Sequence, residues 1–230
     1  MTPLERAPRR EAADAGTEII DISQPLDGRT APWPGDRPLS VEWTARRDQG
    51  AAINLAAVSL SVHTGTHVDG PFHTGEGPVA GDLPLERFIG PAMVLDVRDR
   101  VTGDPPLVDA SALDGLDVRG FRVLLRTRET VDPAAFPEPF AALSPALCRR
   151  LVELGCVLVG TDAPSVDPVD SNVLESHRVL AEAGIPNVEN LVLSGVEPGR
   201  YTLVAPPLAL READSAPVRA VLIRDTEEDG

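Results

Sequence analysis

Eight short apolar runs, rich in β-branched residues, limit what this chain can fold into: TEIIDIS, INLAAVSLSV, AMVLDV, FRVLLRT, CVLVGTD, NLVLSGV, YTLVAPPLAL and VRAVLI. Each has the length of a strand and is bounded by Gly, Pro, Asp or Asn, which turn or end strands. Two stretches read as helices. SPALCRRLVELG offers Ser144 as N-cap, Pro145 at the first helical position and Gly155 as the stop. It leads directly into CVLVGTD, an α-to-β step. SNVLESHRVLAEAG ends at Gly184 and carries Val173, Leu174, Leu180 and Ala181 along one side. The expected class is α/β: a single compact, β-rich domain with few helices.

At 230 residues the chain has room for one sizeable domain, and it contains no internal repeat or long linker. Residues 1–16 read as a frayed polar lead-in, with arginines but none of the apolar stretch a secretory signal needs. Residues 17–224 are the expected domain, and 225–230 an acidic tail. A net charge of −15 repels phosphate backbones, and no basic cluster offsets it, so nucleic acid is not an expected partner. No apolar run reaches the ~18 residues of a membrane span. Cys148 and Cys156 sit among apolar neighbours and read as buried thiols of a cytoplasmic protein.

The chain has four histidines, and three of them fall in HTGTHVDGPFH, residues 63–73. His63, His67, Asp69 and His73 are all odd-numbered, so an extended chain would point them to one side. On a helix Asp69 would sit well around the cylinder from the imidazoles. Ser59, Ser61 and His63 alternate with apolar Val58, Leu60 and Val62, and Gly65, Gly70 and Pro71 bend the chain. A strand running into a tight loop is therefore expected. Imidazole and carboxylate together suit Zn²⁺, with Mn²⁺ or Fe²⁺ as alternatives. The lack of a cysteine among them favours a catalytic over a structural site. His177 faces inward on the second predicted helix, and Glu189 opens the run ENLVL. A buried imidazole and a buried carboxylate each need a partner. Together they offer what a second ion would want.

HTGTHVDGPFH resembles the signature H-x-G-T-H-x-D-x-P-x-H of the metal-dependent cyclase-like hydrolases, and within them the bacterial kynurenine formamidases. DISQPLDGRTAPWPGD, GTDAPSVDPVDS, VENLVLSGVEPGRYTLVAPPLAL and APVRAVL are also similar to segments of those enzymes, so the resemblance covers residues 17–224. It implies a swivelling β/β/α domain, a homodimer and two Zn²⁺ per subunit, or Mn²⁺ in their place. It further implies that His63, His67 and Asp69 hold the first ion and that Asp69 bridges to a second, bound also by His177. Glu189 touches both. His73 is then the proton-transfer residue, not a ligand, and Trp33 lines the substrate pocket. The implied reaction converts N-formyl-L-kynurenine to L-kynurenine and formate in tryptophan degradation, with hydroxide generated at the metal pair as nucleophile.

That chemistry agrees with the residues. Metal ions acidify water and polarise a carbonyl, and an imidazole with pKa near 6.5 relays a proton to a departing aniline nitrogen. Trp33, in the proline-stiffened PWPGD, suits stacking on a planar anilide, with Phe72 as a second candidate for the pocket wall. Trp43 reads as structural. Two other readings compete. One is a hydrolase of the same family acting on another amide or on a lactam such as isatin. The other is a non-catalytic, zinc-stabilised binding module, which would close all metal positions and has no use for His73.

Overall fold

The computed structural model describes residues 9–14 and 16–225. In chain order the first strands are β1 (Arg9–Asp14), β2 (Thr17–Asp21), β3 (Ser40–Ala45), β4 (Leu55–Ser59) and β5 (His67–Asp69). There follow β6 (Ile89–Asp96), β7 (Val101–Thr102), β8 (Leu107–Val108), β9 (Arg122–Arg126) and β10 (Ala142–Leu143). Helix α1 (Pro145–Glu153), β11 (Leu158–Thr161), α2 (Glu175–Glu182) and β12 (Asn187–Glu189) come next. The chain closes with β13 (Gly199–Val204), β14 (Ser215–Pro217) and β15 (Val221–Asp225).

Ten strands form one sheet in the order β1-β2-β15-β13-β6-β9-β11-β12-β5-β14. Its centre, β6 through β12, pairs in parallel, and the strands on both flanks pair antiparallel. A parallel centre must be covered on both faces, and β9 (RVLLR) is buried at every position. Strand alternation divides it between two cores. Leu124 and Leu158 enter a cluster with Ile20, Phe88 and Leu222. Val123, Leu125 and Val159 enter another with Leu147 and Leu151 of α1 and Leu180 of α2. Each such side chain contributes ~1.5–3 kcal/mol on burial.

Helix α1 follows its caps: Ser144 Oγ accepts from the Leu147 amide at 3.1 Å, and Gly155 takes φ +78°. Helix α2 differs from expectation, starting at Glu175 and not near Ser171. Its first amides are capped from outside the run by Asp167, which accepts from the amides of Ser176 (3.0 Å) and His177 (2.9 Å). Val173 therefore lies off the helix and is 65% exposed.

Other expectations change as well. Part of the lead-in, Arg9–Asp14, is not frayed but pairs with β2; residues 1–8 and 226–230, the latter nearly all of the acidic tail, lie outside the described residues. INLAAVSLSV is strand only over β4, in a hairpin with β3 that leaves Val41, Trp43, Leu55 and Val58 exposed. Trp43 packs under the Arg46 guanidinium, 5.6 Å from its ring centre. NLVLSGV is not a strand, because Asn190 turns the chain at φ +58° and Leu191 makes only an isolated bridge to Ser23. Cys148 and Cys156 are free and buried as expected, and burial pushes their thiols up to about 12 and about 11. Among the described residues no helix is long and apolar enough to cross a membrane.

Candidate metal centre and active site

The site begins where β5 and β12 pair at one side of the sheet. Their antiparallel register sets Asn187 opposite Asp69, Val188 opposite Val68 and Glu189 opposite His67. Alternation sends the two valines into the core and leaves His67, Asp69, Asn187 and Glu189 together on the other face, all buried. Glu189 thus ends a strand where the sequence suggested that it opened one. Asn187 donates its amide to Asp69 Oδ2 at 2.8 Å and to Glu189 Oε1 at 3.0 Å, holding the two carboxylates side by side.

His63 reaches the same place by a different route. The extended alternation stops at Ser59, and His63 lies in a turn ahead of β5, followed by Gly65 at φ +68°. That backbone conformation favours glycine; a Cβ there would stand 2.5 Å from Leu26 Cδ2, a side-chain tip that would have to swing aside. His73 sits one turn beyond β5, on the short 3₁₀ segment Pro71–His73. The expected order, strand then loop, is reversed: the loop carries His63 into the strand that bears His67 and Asp69.

Each histidine has one ring nitrogen held by the protein and the other available to the site. His67 Nδ1 donates to the Gly65 carbonyl at 2.9 Å, which leaves Nε2 3.5 Å from Asp69 and 3.4 Å from Glu189. His177, 5% exposed on α2, donates from Nδ1 to Asp167 at 2.7 Å, and its Nε2 lies 3.5 Å from Asp69 and 3.3 Å from Glu189. His63 is held through Nε2 by Asp214 at 2.9 Å, with Nδ1 3.2 Å from Asp69. His73 donates from Nδ1 to the same Asp214 oxygen at 2.8 Å. Holding one imidazole nitrogen to aim the other is how proteins orient metal-binding histidines.

The residues fit divalent cations. Among the described residues, buried His67 Nε2 and Asp69 Oδ1 make no hydrogen bond, although His63 Nδ1 stands 3.2 Å from that Asp69 oxygen; this is a costly state that a cation relieves. Ligand atoms of His67, Asp69 and Glu189 lie within 4.8 Å of one another, as do those of His63, Asp69 and His73. The charge balance points the same way. Burial alone would raise the Asp69 and Glu189 carboxyls, yet the surrounding imidazoles hold both below the usual range. Burial would lower His63, but Asp69 and Asp214 outweigh it and push the imidazole up to about 9. His177 is likewise raised, against burial, by Asp167, Asp69 and Glu189. This cluster of carboxylates draws positive charge.

The cluster opens onto a cavity of about 360 Å³ lined by His63, His67, His73, His177 and Glu189. An open site of this kind does not match the closed coordination of a zinc-stabilised module. Trp33 lines the same cavity and packs edge-on against Phe136, with ring centres 5.2 Å apart. Phe72 does not line it; it is 54% exposed on the outer side of its 3₁₀ turn. The sequence reading missed Asp214, Asp167 and Asn187. Asn187 was within reach, two residues before Glu189 on a period-two strand. Asp167 and Asp214 carry no spacing signal, since they meet their histidines only through the fold.

The Cyclase family model matches residues 20–168, well over half the chain. The chain belongs to the Cyclase family. It is 45% identical to a kynurenine formamidase of Salinibacter ruber over 89% of this chain and 96% of that one. A kynurenine formamidase of Bacillus cytotoxicus is 40% identical over 90% and 97%. Among solved structures, a predicted metal-dependent hydrolase from Bacillus stearothermophilus superposes with TM-score 0.77 at 26% identity, covering 90% of this chain and 98% of that one. An isatin hydrolase superposes with TM-score 0.77 at 21% identity, over 92% and 94%, a likeness of fold alone. The β-rich α/β architecture expected from the sequence is thus a cyclase fold.

Proposed function

We propose that this chain hydrolyses N-formyl-L-kynurenine to L-kynurenine and formate, a step of tryptophan degradation. The observation that carries the reading is the convergence of His63, His67, His177 and Glu189, around the buried carboxylate of Asp69, on one open cavity with an aromatic wall. The near full-length similarity to kynurenine formamidases supports the choice of substrate. In this reading His63, His67 and Asp69 would hold one Zn²⁺, Asp69 and His177 would hold a second, and Glu189 would serve both, with Mn²⁺ as the alternative metal. When bound, these ions supply Lewis acidity, which acidifies water and polarises a carbonyl oxygen.

The chain's own residues do the rest. Trp33 and Phe136 offer apolar faces to the aryl ring and help exclude water around the formamide. Asp214 engages Nδ1 of His73, which leaves Nε2 as the nitrogen able to exchange a proton. As water adds to the formyl carbon, His73 accepts its proton. As the carbon–nitrogen bond breaks, His73 returns that proton to the leaving aniline nitrogen, and formic acid departs, losing its proton to solvent as formate. The reading includes a homodimer, and buried free thiols at Cys148 and Cys156 suit a reducing cytoplasm.

The test is formate release from N-formyl-L-kynurenine by purified protein, measured before metal stripping, after it, and after zinc is restored. Activity should vanish and return. Isatin assayed beside it decides the competing lactam reading: isatin turnover without formylkynurenine turnover overturns the proposal.

A further inference from the structure

The cavity contains one guanidinium that the chemistry above does not use. Arg128 lies just past β9 and lines the same cavity as His73 and Trp33, and among the described residues no other arginine or lysine does so. Its backbone is fixed by a buried carboxylate. Asp162 accepts from the Thr127 amide (2.9 Å), the Thr127 hydroxyl (2.6 Å) and the Arg128 amide (3.2 Å).

The side chain, by contrast, is barely engaged. Its only hydrogen bond runs from Nη1 to the Asp162 carbonyl at 3.4 Å, and the guanidinium forms no ion pair among the described residues. The other arginines of this strand are committed. Arg122 donates to the carbonyls of Glu86, Arg87 and Pro91, and Arg126 stands 3.8 Å from both Asp96 and Glu129. Arg128 is half-buried, and desolvation pulls it below the ordinary arginine value, with Asp162 and Asp132 offsetting only part of that. A half-buried cation with most of its donors unused, facing a substrate cavity, is arranged to receive an anion.

N-formyl-L-kynurenine carries one anionic group, the α-carboxylate, at the far end of the chain from the formamide. We infer that Arg128 binds the substrate's α-carboxylate and selects aryl formamides that carry this carboxylate over those that lack it. Asp132, four residues on, lines the same cavity, and its Oδ1 accepts from the Ala134 amide at 3.0 Å. It suits the neighbouring α-ammonium. This assignment rests on the formamidase reading.

The experiment uses the metal-loaded full chain and two substrates, N-formyl-L-kynurenine and N-formylkynuramine, which lacks only the carboxylate. Wild type should favour the first in kcat/KM by roughly 10- to 100-fold, mostly through KM, the range of a charge-assisted hydrogen bond. In Arg128→Gln the preference should collapse to less than about threefold, and Arg128→Lys, which keeps the charge but not the fork, should restore part of it. Damage to the fold would lower both substrates together and leave the ratio standing, and the Lys variant carries the test if Gln misfolds. If wild type hydrolyses both substrates without preference, or the preference survives Arg128→Gln, the Arg128 assignment fails and the formamidase reading stands. If the metal-loaded wild type hydrolyses neither, both fail.

Discussion

Asp214 Oδ2 stands 2.8 Å from Nδ1 of His73, although 141 positions separate the two residues in the chain. The same oxygen is 2.9 Å from Nε2 of His63. Asp214 precedes β14, which pairs with β5 so that Ser215 faces Asp69. One carboxylate therefore orients both a candidate ligand and the candidate proton carrier. Removing a residue in such a position typically costs 10- to 100-fold in metal affinity or activity. Asp214→Asn should lower turnover of an aryl formamide by about that factor. The loss should be smaller for an aryl formate ester with an acidic phenol, whose leaving group needs no proton. Equal losses on the two substrates would separate Asp214 from proton delivery.

His73 and the metal ligands should fail in different ways. His73→Ala removes the proton carrier and should reduce kcat by ~10²–10⁴ while the purified protein keeps its metal. His67→Ala or Asp69→Ala removes a buried donor and should yield protein depleted of metal. Elemental analysis beside the rate separates the cases, and a metal-free His73→Ala would make His73 a ligand.

Gly70 tests the frame of the site. It joins β5 to the turn bearing His73, and a Cβ there would lie 2.5 Å from the Ala80 amide nitrogen and 2.8 Å from the Val79 carbonyl carbon. These are backbone atoms, which do not swing aside. Gly70→Ala should destabilise the protein by about 1–3 kcal/mol, the usual range for overpacking. A lowered midpoint in chemical denaturation is the measurement, and an unchanged one would mean that the turn yields.

The sequence reveals the parts of this site that depend on local chain geometry. His67 and Asp69 share a strand face because two positions is the strand period, and His177 faces inward because its helical neighbours are apolar. Ser144, Pro145 and Gly155 bound α1 where their chemistry says a helix starts and stops. What stayed hidden depends on long-range pairing. The start of α2 is set by Asp167, outside the helical run, and the exposed hairpin β3–β4 shows the apolar pattern of a buried strand without being one. Asp214 became visible only once β14 paired with β5. Phe72 misled because adjacency in a motif says nothing about which way a 3₁₀ turn points its middle residue.

The histidines also set a pH dependence whose sign is fixed. Without metal, Asp69 and Asp214 hold the His63 imidazole up to about 9, against an ordinary value near 6.5. A group raised on folding contributes stability that is fully present below about 6.5 and is lost as pH climbs through about 9. The metal-free protein should therefore melt at falling temperatures across that window. Metal binding runs the other way, because a ligand nitrogen must first lose its proton. Below about pH 9 each proton displaced from His63 should weaken binding about tenfold per pH unit, and His177, also raised, steepens the slope. Zinc affinity measured against a competing chelator at about pH 6, 7 and 8 should rise at each step, while the melting temperature of the stripped protein falls. Affinity that stays flat over that range would mean that neither imidazole gives up a proton to the metal, and His63 and His177 would leave the ligand set.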